Sequence, residues 1–409
     1  MNFIEGLLMN KEMLKEIIDG MDVKNLSEYG KNQLAILTEN LLQEIMGKER
    51  YEYLLENKKD KGNGSYKRNL HTSLGKLELD VPRVRSGEFR SNVLPDKYQR
   101  HDSSLEELIL TLLINGDSKK DIISKLKSMN VSFNEKTYDE LLKNLNEKYN
   151  DFISCELDEE YFFIYIDAYI CKIKDKDKKV KTASVYSVIG IDKNAKKSVL
   201  GFYPIFGKEN KSTWMSIFQD LINRGMKKVL LFICDDFSGI SNVIKAYFPY
   251  SDIQKCVVHL SRNIYKNMDK SDAKFVNKKL NEIKYSCDTF DKGITIFQKD
   301  IIDKFKSKYP TYTNYLNSRK EEFLNFLKFP ESVRKYIYST NPVESLNSSF
   351  EKMRHKKGEF FQSTQTLNVA FYITIKKLNF IEGKIVPKIK NKLYELNQLF
   401  NIKFLNLEE

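Results

Sequence analysis

Two acidic positions interrupt apolar runs in the middle of the chain. Asp167 breaks the run Tyr-Phe-Phe-Ile-Tyr-Ile-Asp-Ala-Tyr-Ile at 161–170, and Asp235-Asp236 end Lys-Lys-Val-Leu-Leu-Phe-Ile-Cys at 227–234. Burying an unpaired carboxylate is costly, so an acid so placed needs a cation partner or a strand-end position open to solvent. Two strand-end aspartates on neighbouring strands, joined by a third carboxylate, make an oxygen-rich site for a hard cation such as Mg2+. Plainer roles stay open: Asp167 paired with a lysine at a strand edge, and one of Asp235 and Asp236 as N-cap of the helix after Ser238-Gly239. Spacing does not choose the third carboxylate, because the helix expected after Pro342 carries both Glu344 and Glu351.

The order of elements around these acids is informative. Residues 3–57 read as two helices, the second with Leu34, Leu37, Leu41 and Ile45 on one apolar face. Residues 58–69 read as a Gly-rich basic turn leading into a strand with Leu74, Leu77, Leu79 and Val81 mostly alternating, and Pro82 at its end or edge. Residues 103–145 read as three short helices broken at 116–118 and 130–132, with Ser118 and Asn134 as N-caps. Short helices joined by tight turns suit a helix-turn-helix, or equally a helical hairpin packed on the next domain. Strands follow at 159–174, 182–192 and 197–208, then a helix, a buried strand, a helix and a short strand ending at His259. That order predicts a mixed sheet flanked by helices, as in ribonuclease-H-like nuclease folds. Residues 260–335 are helical and Lys-rich, as an insertion would be.

The chain has 409 residues and a net charge of +12, and 41% of it is hydrophobic, which excludes a disordered protein. The charge is uneven: residues 1–150 balance at −1, while residues 201–409 carry +13. A second basic patch lies at 61–100, with nine Lys+Arg against four acids. Such an excess attracts polyanions, although solvated lysine faces would look the same. Five scattered cysteines and an acid-bearing N-terminus predict a reduced, cytoplasmic protein without a secretory signal, and no apolar stretch is long enough to span a membrane.

The block Ser339-Thr340-Asn341-Pro342-Val343-Glu344-Ser345-Leu346-Asn347, followed by Arg354 and Lys356-Lys357-Gly358, resembles the glutamate motif of Mutator-type (IS256-family) transposases. Ile166-Asp167-Ala168 resembles that family's first-aspartate strand, and Asp235 with Ser238-Gly239-Ile240 its second-aspartate turn. Cys256-Val257-Val258-His259 resembles its Cys-x-x-His element. Gly207-Lys208-Glu209-Asn210 with Trp214, and the basic segment from Gly64 through Arg83, also agree, so the resemblance spans roughly residues 30–380.

The resemblance implies a DDE transposase that binds the terminal inverted repeats of its element and catalyses metal-dependent strand cleavage and strand transfer. Asp167, Asp235 and Glu344 would be the catalytic, metal-holding triad with two Mg2+ or Mn2+ ions, and Cys256, His259, Asn341 and Asn347 would support them. Lys67, Arg68, Arg83, Arg85, Lys119, Lys120, Arg354, Lys356 and Lys357 would contact DNA. Asp235 is chosen over Asp236 for its distance to Gly239, and the extra acid Asp236 departs from the family pattern. The implied parts are N-terminal helices (1–60), a basic segment with a helix-turn-helix (61–150), the first part of a ribonuclease-H-like core (155–262), an α-helical insertion (263–338), and the glutamate helix with C-terminal helices (339–409). The partners would be double-stranded DNA, at element ends and target, and a second copy in a dimer or larger synaptic complex, in the cytoplasm with the nucleoid. Two alternatives stay open: a DNA-binding descendant whose catalysis has lapsed, and a two-metal nuclease that cuts without joining. Structural zinc at Cys256 and His259 is disfavoured, since two ligands do not complete a tetrahedral site. Trp214 is expected in the helix–sheet core, with base stacking as the lesser role.

Overall fold

The computed structural model describes residues 23–72, 75–95, 103–115, 117–129, 131, 133–175, 177, 179–207, 210–356, 360–361 and 363–404. It divides into two compact units, 1–141 and 142–409.

In the first unit, α1 (Val23–Glu56) lies along a two-stranded antiparallel hairpin of β1 (Gly62–Thr72) and β2 (Gly75–Val84). The hairpin's alternation turns Leu70, Leu77, Leu79 and Val81 inward onto Met46, Leu42 and Ala35 of α1. Two expectations are corrected here. The basic stretch at 58–69 is mostly strand, because pairing with β2 satisfies its backbone, and Gly64, at φ +64°, accommodates the irregular register between Gly62 and Ser65. The face of α1 bearing Leu34, Leu37 and Leu41 is exposed, and the buried stripe is the neighbouring Ala35, Leu42 and Met46.

Helices α2 (Ser103–Asn115), α3 (Lys119–Ser128) and α4 (Glu135–Ser154) follow. Ser118 caps α3 in a capping box with Asp121, and Asn134 Oδ1 accepts from Thr137 N–H at 3.0 Å, so both expected N-caps form. Ile122, Ile123 and Leu126 bury one face of α3.

The second unit is built on a mixed sheet: β3 (Glu160–Lys174), β4 (Val180–Asp192), β5 (Lys196–Phe206), β6 (Lys228–Cys234) and β7 (Asp252–Lys255), in the order β7-β6-β3-β4-β5. Strands β3, β4 and β5 pair antiparallel, while β6 and β7 run parallel to β3. Helices α5 (Lys211–Asn223) and α6 (Ile240–Tyr247) cover one face, where Trp214, Ile217, Phe218, Val243 and Ile244 pack on Ile164, Ile166, Val188 and Phe232. Trp214 is fully buried, 4.7 Å from the Tyr186 ring, and donates from Nε1 to the Ser238 carbonyl at 3.1 Å, so it is a core residue.

Helices α7 (Val257–Asn267), α8 (Lys270–Ser286), α9 (Phe290–Ile296, continued by a π-helix to Asp303), α10 (Pro310–Ser318), α11 (Lys320–Leu324) and α12 (Glu331–Ile337) form the helical stretch expected there. Then α13 (Asn341–Lys356) packs across the other face of the sheet, where the rings of Phe202 and Phe350 stack on Phe371 of α14 (Thr364–Lys377). Two-residue strands β8 (Phe360–Phe361) and β9 (Lys384–Ile385) extend the sheet, and α15 (Pro387–Lys390) and α16 (Leu393–Phe404) close the chain. Among the described residues, no helix is long and apolar enough to cross a membrane.

Candidate active site

Strand register brings the two aspartates together. In the parallel ladder Ile166 of β3 stands beside Cys234, the last residue of β6, so Asp167 and Asp235 directly follow the last paired residues of neighbouring strands. Ile166 and Cys234 face the α5–α6 core. Alternation therefore sends Asp167 and Asp235 to the opposite face, where α13 lies.

Asp167 is only 5% exposed. Its Oδ1 accepts from the Ala168 backbone N–H at 2.9 Å, and its Oδ2 accepts from Asn347 Nδ2 at 2.8 Å. That second bond docks α13 on the aspartate. Glu344 and Glu351 lie on α13, three residues before and four after Asn347, and the Glu344 side chain is outside the described residues. Val343, Leu346 and Phe350 of α13 are fully buried. Asn341 is exposed at the start of α13.

The Cys-x-x-His element lies against the second aspartate. Cys256 follows β7 as the N-cap residue of α7 and is buried. Its backbone N–H donates to the Cys234 carbonyl at 2.9 Å, the Val257 N–H donates to the Tyr338 carbonyl at 2.9 Å, and Thr340 Oγ1 donates to Cys256 Sγ at 3.6 Å. The chain leading into α13 is thereby tied to the turn beside Asp235.

His259 Nδ1 lies 2.7 Å from Asp235 Oδ1. Both atoms are buried, yet the alignment falls short of a hydrogen bond, so they meet as a close charge pair. The Asp235 carboxylate first, and the Cys256 sulfur second, push the imidazolium up to about 10. Arg262 Nη1, 3.3 Å from Nε2, opposes this, because it can donate only to an unprotonated Nε2. Ligand atoms of Asp235, Cys256 and His259 all lie within 4.8 Å of one another. Sequence spacing misses this third donor to the Cys-x-x-His pair.

The site suits a hard divalent cation. Asp235 Oδ1 and Asn347 Oδ1 are buried oxygens with no hydrogen-bond partner among the described residues. Asp167, Asp235 and Asn347 offer carboxylate and amide oxygens, the donor type that Mg2+ and Mn2+ favour.

Asp236 is engaged elsewhere. Its carboxylate accepts from Tyr315 Oη at 2.8 Å and from Arg319 Nε at 3.3 Å, and Lys255 Nζ lies 3.5 Å away. It belongs to a clasp between the end of β6 and α10. Neither aspartate caps α6: the N-cap is Gly239, in the left-handed region at φ +80°, without a side-chain cap bond. The competing demands of Asp167's face and of α10 leave neither carboxylate for the helix.

Sequence reasoning missed Lys255. It is 1% exposed, and its Nζ donates to the Asp235 carbonyl at 3.3 Å and reaches Cys234 Sγ at 3.7 Å. The strand Asp252-Ile253-Gln254-Lys255 is polar enough that its sequence carries no signal of a buried lysine.

Of the expected DNA-contacting residues, Lys67, Arg83 and Arg85 are exposed on and beside the hairpin. Arg68 is half-buried and donates to the Pro95 carbonyl at 3.1 Å. Lys119 pairs with Asp139 at 2.9 Å and Glu135 at 3.2 Å, and Lys120 is exposed. Arg354 and Lys356 lie in the last turns of α13, and Lys357, like Lys208 and Glu209, is outside the described residues.

Comparison with known proteins agrees with these motifs. The model of the family "Transposase, Mutator family" matches residues 6–382. The transposase of insertion sequence IS905 from Lactococcus lactis is 26% identical over 370 residues, covering 89% of this chain and 93% of that protein. A probable insertion-sequence transposase from Corynebacterium diphtheriae is 30% identical over 288 residues, covering 70% and 83%. The IS256 transposase of transposon Tn4001 from Staphylococcus aureus is 27% identical over 370 residues, covering 85% and 90%. A Drosophila P element transposase strand transfer complex aligns over 77% of this chain and 83% of that one at 10% identity, with a TM-score of 0.27 that is too low to bear on the fold. The chain belongs to the Mutator family of transposases.

Proposed function

We propose that the chain is a DDE transposase that binds the ends of its element, cuts the DNA strand there and joins it to target DNA. The observation that carries the reading is the bond from Asn347 to Asp167, which seats the glutamate-bearing helix on the aspartate pair. In this reading Asp167, Asp235 and Glu344 hold two Mg2+ or Mn2+ ions. When bound, such ions activate the attacking water or 3′-hydroxyl and steady the leaving oxygen. His259 faces the Asp235 carboxylate at Oδ1, and Asn347 donates to Asp167.

The strand order β7-β6-β3-β4-β5, antiparallel through β3, β4 and β5, supports a ribonuclease-H-like core with 263–338 as its helical insertion. Exposed Lys67, Arg83 and Arg85 support a hairpin that follows the phosphate backbone, and α3–α4 are proposed as the helix-turn-helix that reads the terminal repeat. Arg354, Lys356 and Lys357 are proposed to hold phosphates past the glutamate helix, and the protein to work on the nucleoid in the cytoplasm.

The test is strand cleavage and joining on DNA carrying the element's own end, in Mg2+ or Mn2+. Asp167→Asn, Asp235→Asn and Glu344→Gln should bind the end and leave it uncut, while Asp236→Asn and Glu351→Gln retain cleavage. Specific binding by the wild type with no cut in either metal would overturn catalysis. Cleavage without a joined product would reduce the protein to a nuclease.

A further inference from the structure

One seven-residue repeat on α1 is unused by the fold. Leu34, Leu37, Leu41, Glu44, Lys48, Tyr51 and Leu55 follow the alternating three- and four-residue spacing of a coiled-coil seam, and all seven are exposed. The five apolar members are 43–64% exposed. The opposite side of α1 is fully engaged: Ala35, Leu42 and Met46 pack on the hairpin. Glu39 accepts from the Glu78 backbone N–H at 2.6 Å, and Glu49 accepts from the Asn92 N–H at 3.2 Å. The helix is therefore held rigid by one face and presents a straight apolar seam on the other. An exposed row with five apolar members of this kind marks an interaction surface.

We propose that this seam pairs with the same seam of a second copy, as an antiparallel coiled coil. The two polar members select both the partner and its direction. Parallel in-register pairing would set Glu44 against Glu44 and Lys48 against Lys48, two like-charge layers in the middle of the seam. An antiparallel pair whose two-fold axis passes at residue 46 instead matches Leu37 with Leu55, Leu41 with Tyr51 and Glu44 with Lys48, each layer twice. Apolar residues then meet apolar residues and the central charges are complementary, as an isologous two-fold interface requires. The overlap from 37 to 55 is about 27 Å of helix at 1.5 Å per residue. That is short for a free coiled coil, but packing on the hairpin has already ordered the helix, so association does not bear the cost of nucleating it.

The experiment is the mass of the full-length protein by light scattering and sedimentation at micromolar concentration, free of DNA. The wild type should be a dimer, and Leu41→Lys with Tyr51→Lys, both at exposed positions, should be a folded monomer by circular dichroism. Glu44→Lys alone should weaken the dimer about tenfold or more, and adding Lys48→Glu should restore it. A monomeric wild type that dimerises only after removal of residues 1–22 would mean that the chain's own N-terminus covers the seam, which overturns the proposal. A dimer untouched by Leu41→Lys with Tyr51→Lys would place the interface elsewhere. Failure of Lys48→Glu to rescue Glu44→Lys would refute the antiparallel register. The readout is mass, so none of these outcomes depends on whether the protein cuts DNA.

Discussion

Replacing Lys255 by methionine tests whether its buried ammonium holds the Asp235-Asp236 pair in place. Methionine nearly preserves the volume, so packing changes little and the loss is of charge. Stranding one member of a buried pair costs about 3–5 kcal/mol. Here Asp236 is not stranded: its side chain is 29% exposed and keeps Tyr315 and Arg319. Solvent and these two donors should reduce the loss to about 2 kcal/mol. At roughly 2–4 °C per kcal/mol for a unit of this size, Tm falls by roughly 4–8 °C. Asp236→Asn still offers an amide oxygen to Arg319 and Tyr315 and should cost about 1 kcal/mol. Urea unfolding of the wild type, both single variants and the double variant gives the coupling, expected at about 1–2 kcal/mol. Lys255→Met within about 0.5 kcal/mol of wild type, or a coupling near zero, would refute the clasp.

Asn347→Ala removes the side-chain donor that α13 sends to Asp167, a hydrogen bond to a charged group. The Mg2+ concentration for half-maximal cleavage should rise about tenfold, equivalent to about 1.4 kcal/mol and within the range for such bonds; an unchanged metal titration would show that the helix is seated by packing alone. On the hairpin, Lys67→Ala and Arg83→Ala should each make the slope of log K against log salt shallower by about 0.9 on element-end DNA. Arg68→Ala should instead lower stability, since its guanidinium holds the Pro95 carbonyl.

What the sequence makes legible is what depends on local periodicity. Apolar runs with punctuating turns identify β3 through β7 and the helices between them, whereas the acids expected at strand ends divide: Asp235 does follow the end of β6, but Asp167 sits in the middle of β3. What it hides depends on partners far along the chain. The stretch at 58–69 reads as a turn because glycine and lysine dominate it, yet 62–69 becomes strand once β2 supplies its hydrogen bonds. The period of α1 is visible, but the face that is buried is decided by the hairpin: Leu42 and Met46 find it, and Leu34, Leu37 and Leu41 do not. Lys255 went unremarked because a lysine in a short strand has no meaning until Asp236 and the Asp235 carbonyl are placed beside it.

The pair Asp235-Asp236 shows how an additional acid can stand next to the proposed metal-holding aspartate. Adjacent residues at a strand end leave in opposite directions, so the second carboxylate need not compete with the first for a cation. Asp236 meets Lys255, Arg319 and Tyr315, two cations and a hydroxyl, and its charge is neutralised before it can act on the neighbouring site. The same contacts attach α10 of the helical stretch to the residue that follows Asp235. Whatever moves α10 therefore moves the end of β6. An acid that breaks the family pattern in the sequence is thus, in the fold, a mechanical link between the helical stretch and the candidate catalytic aspartate.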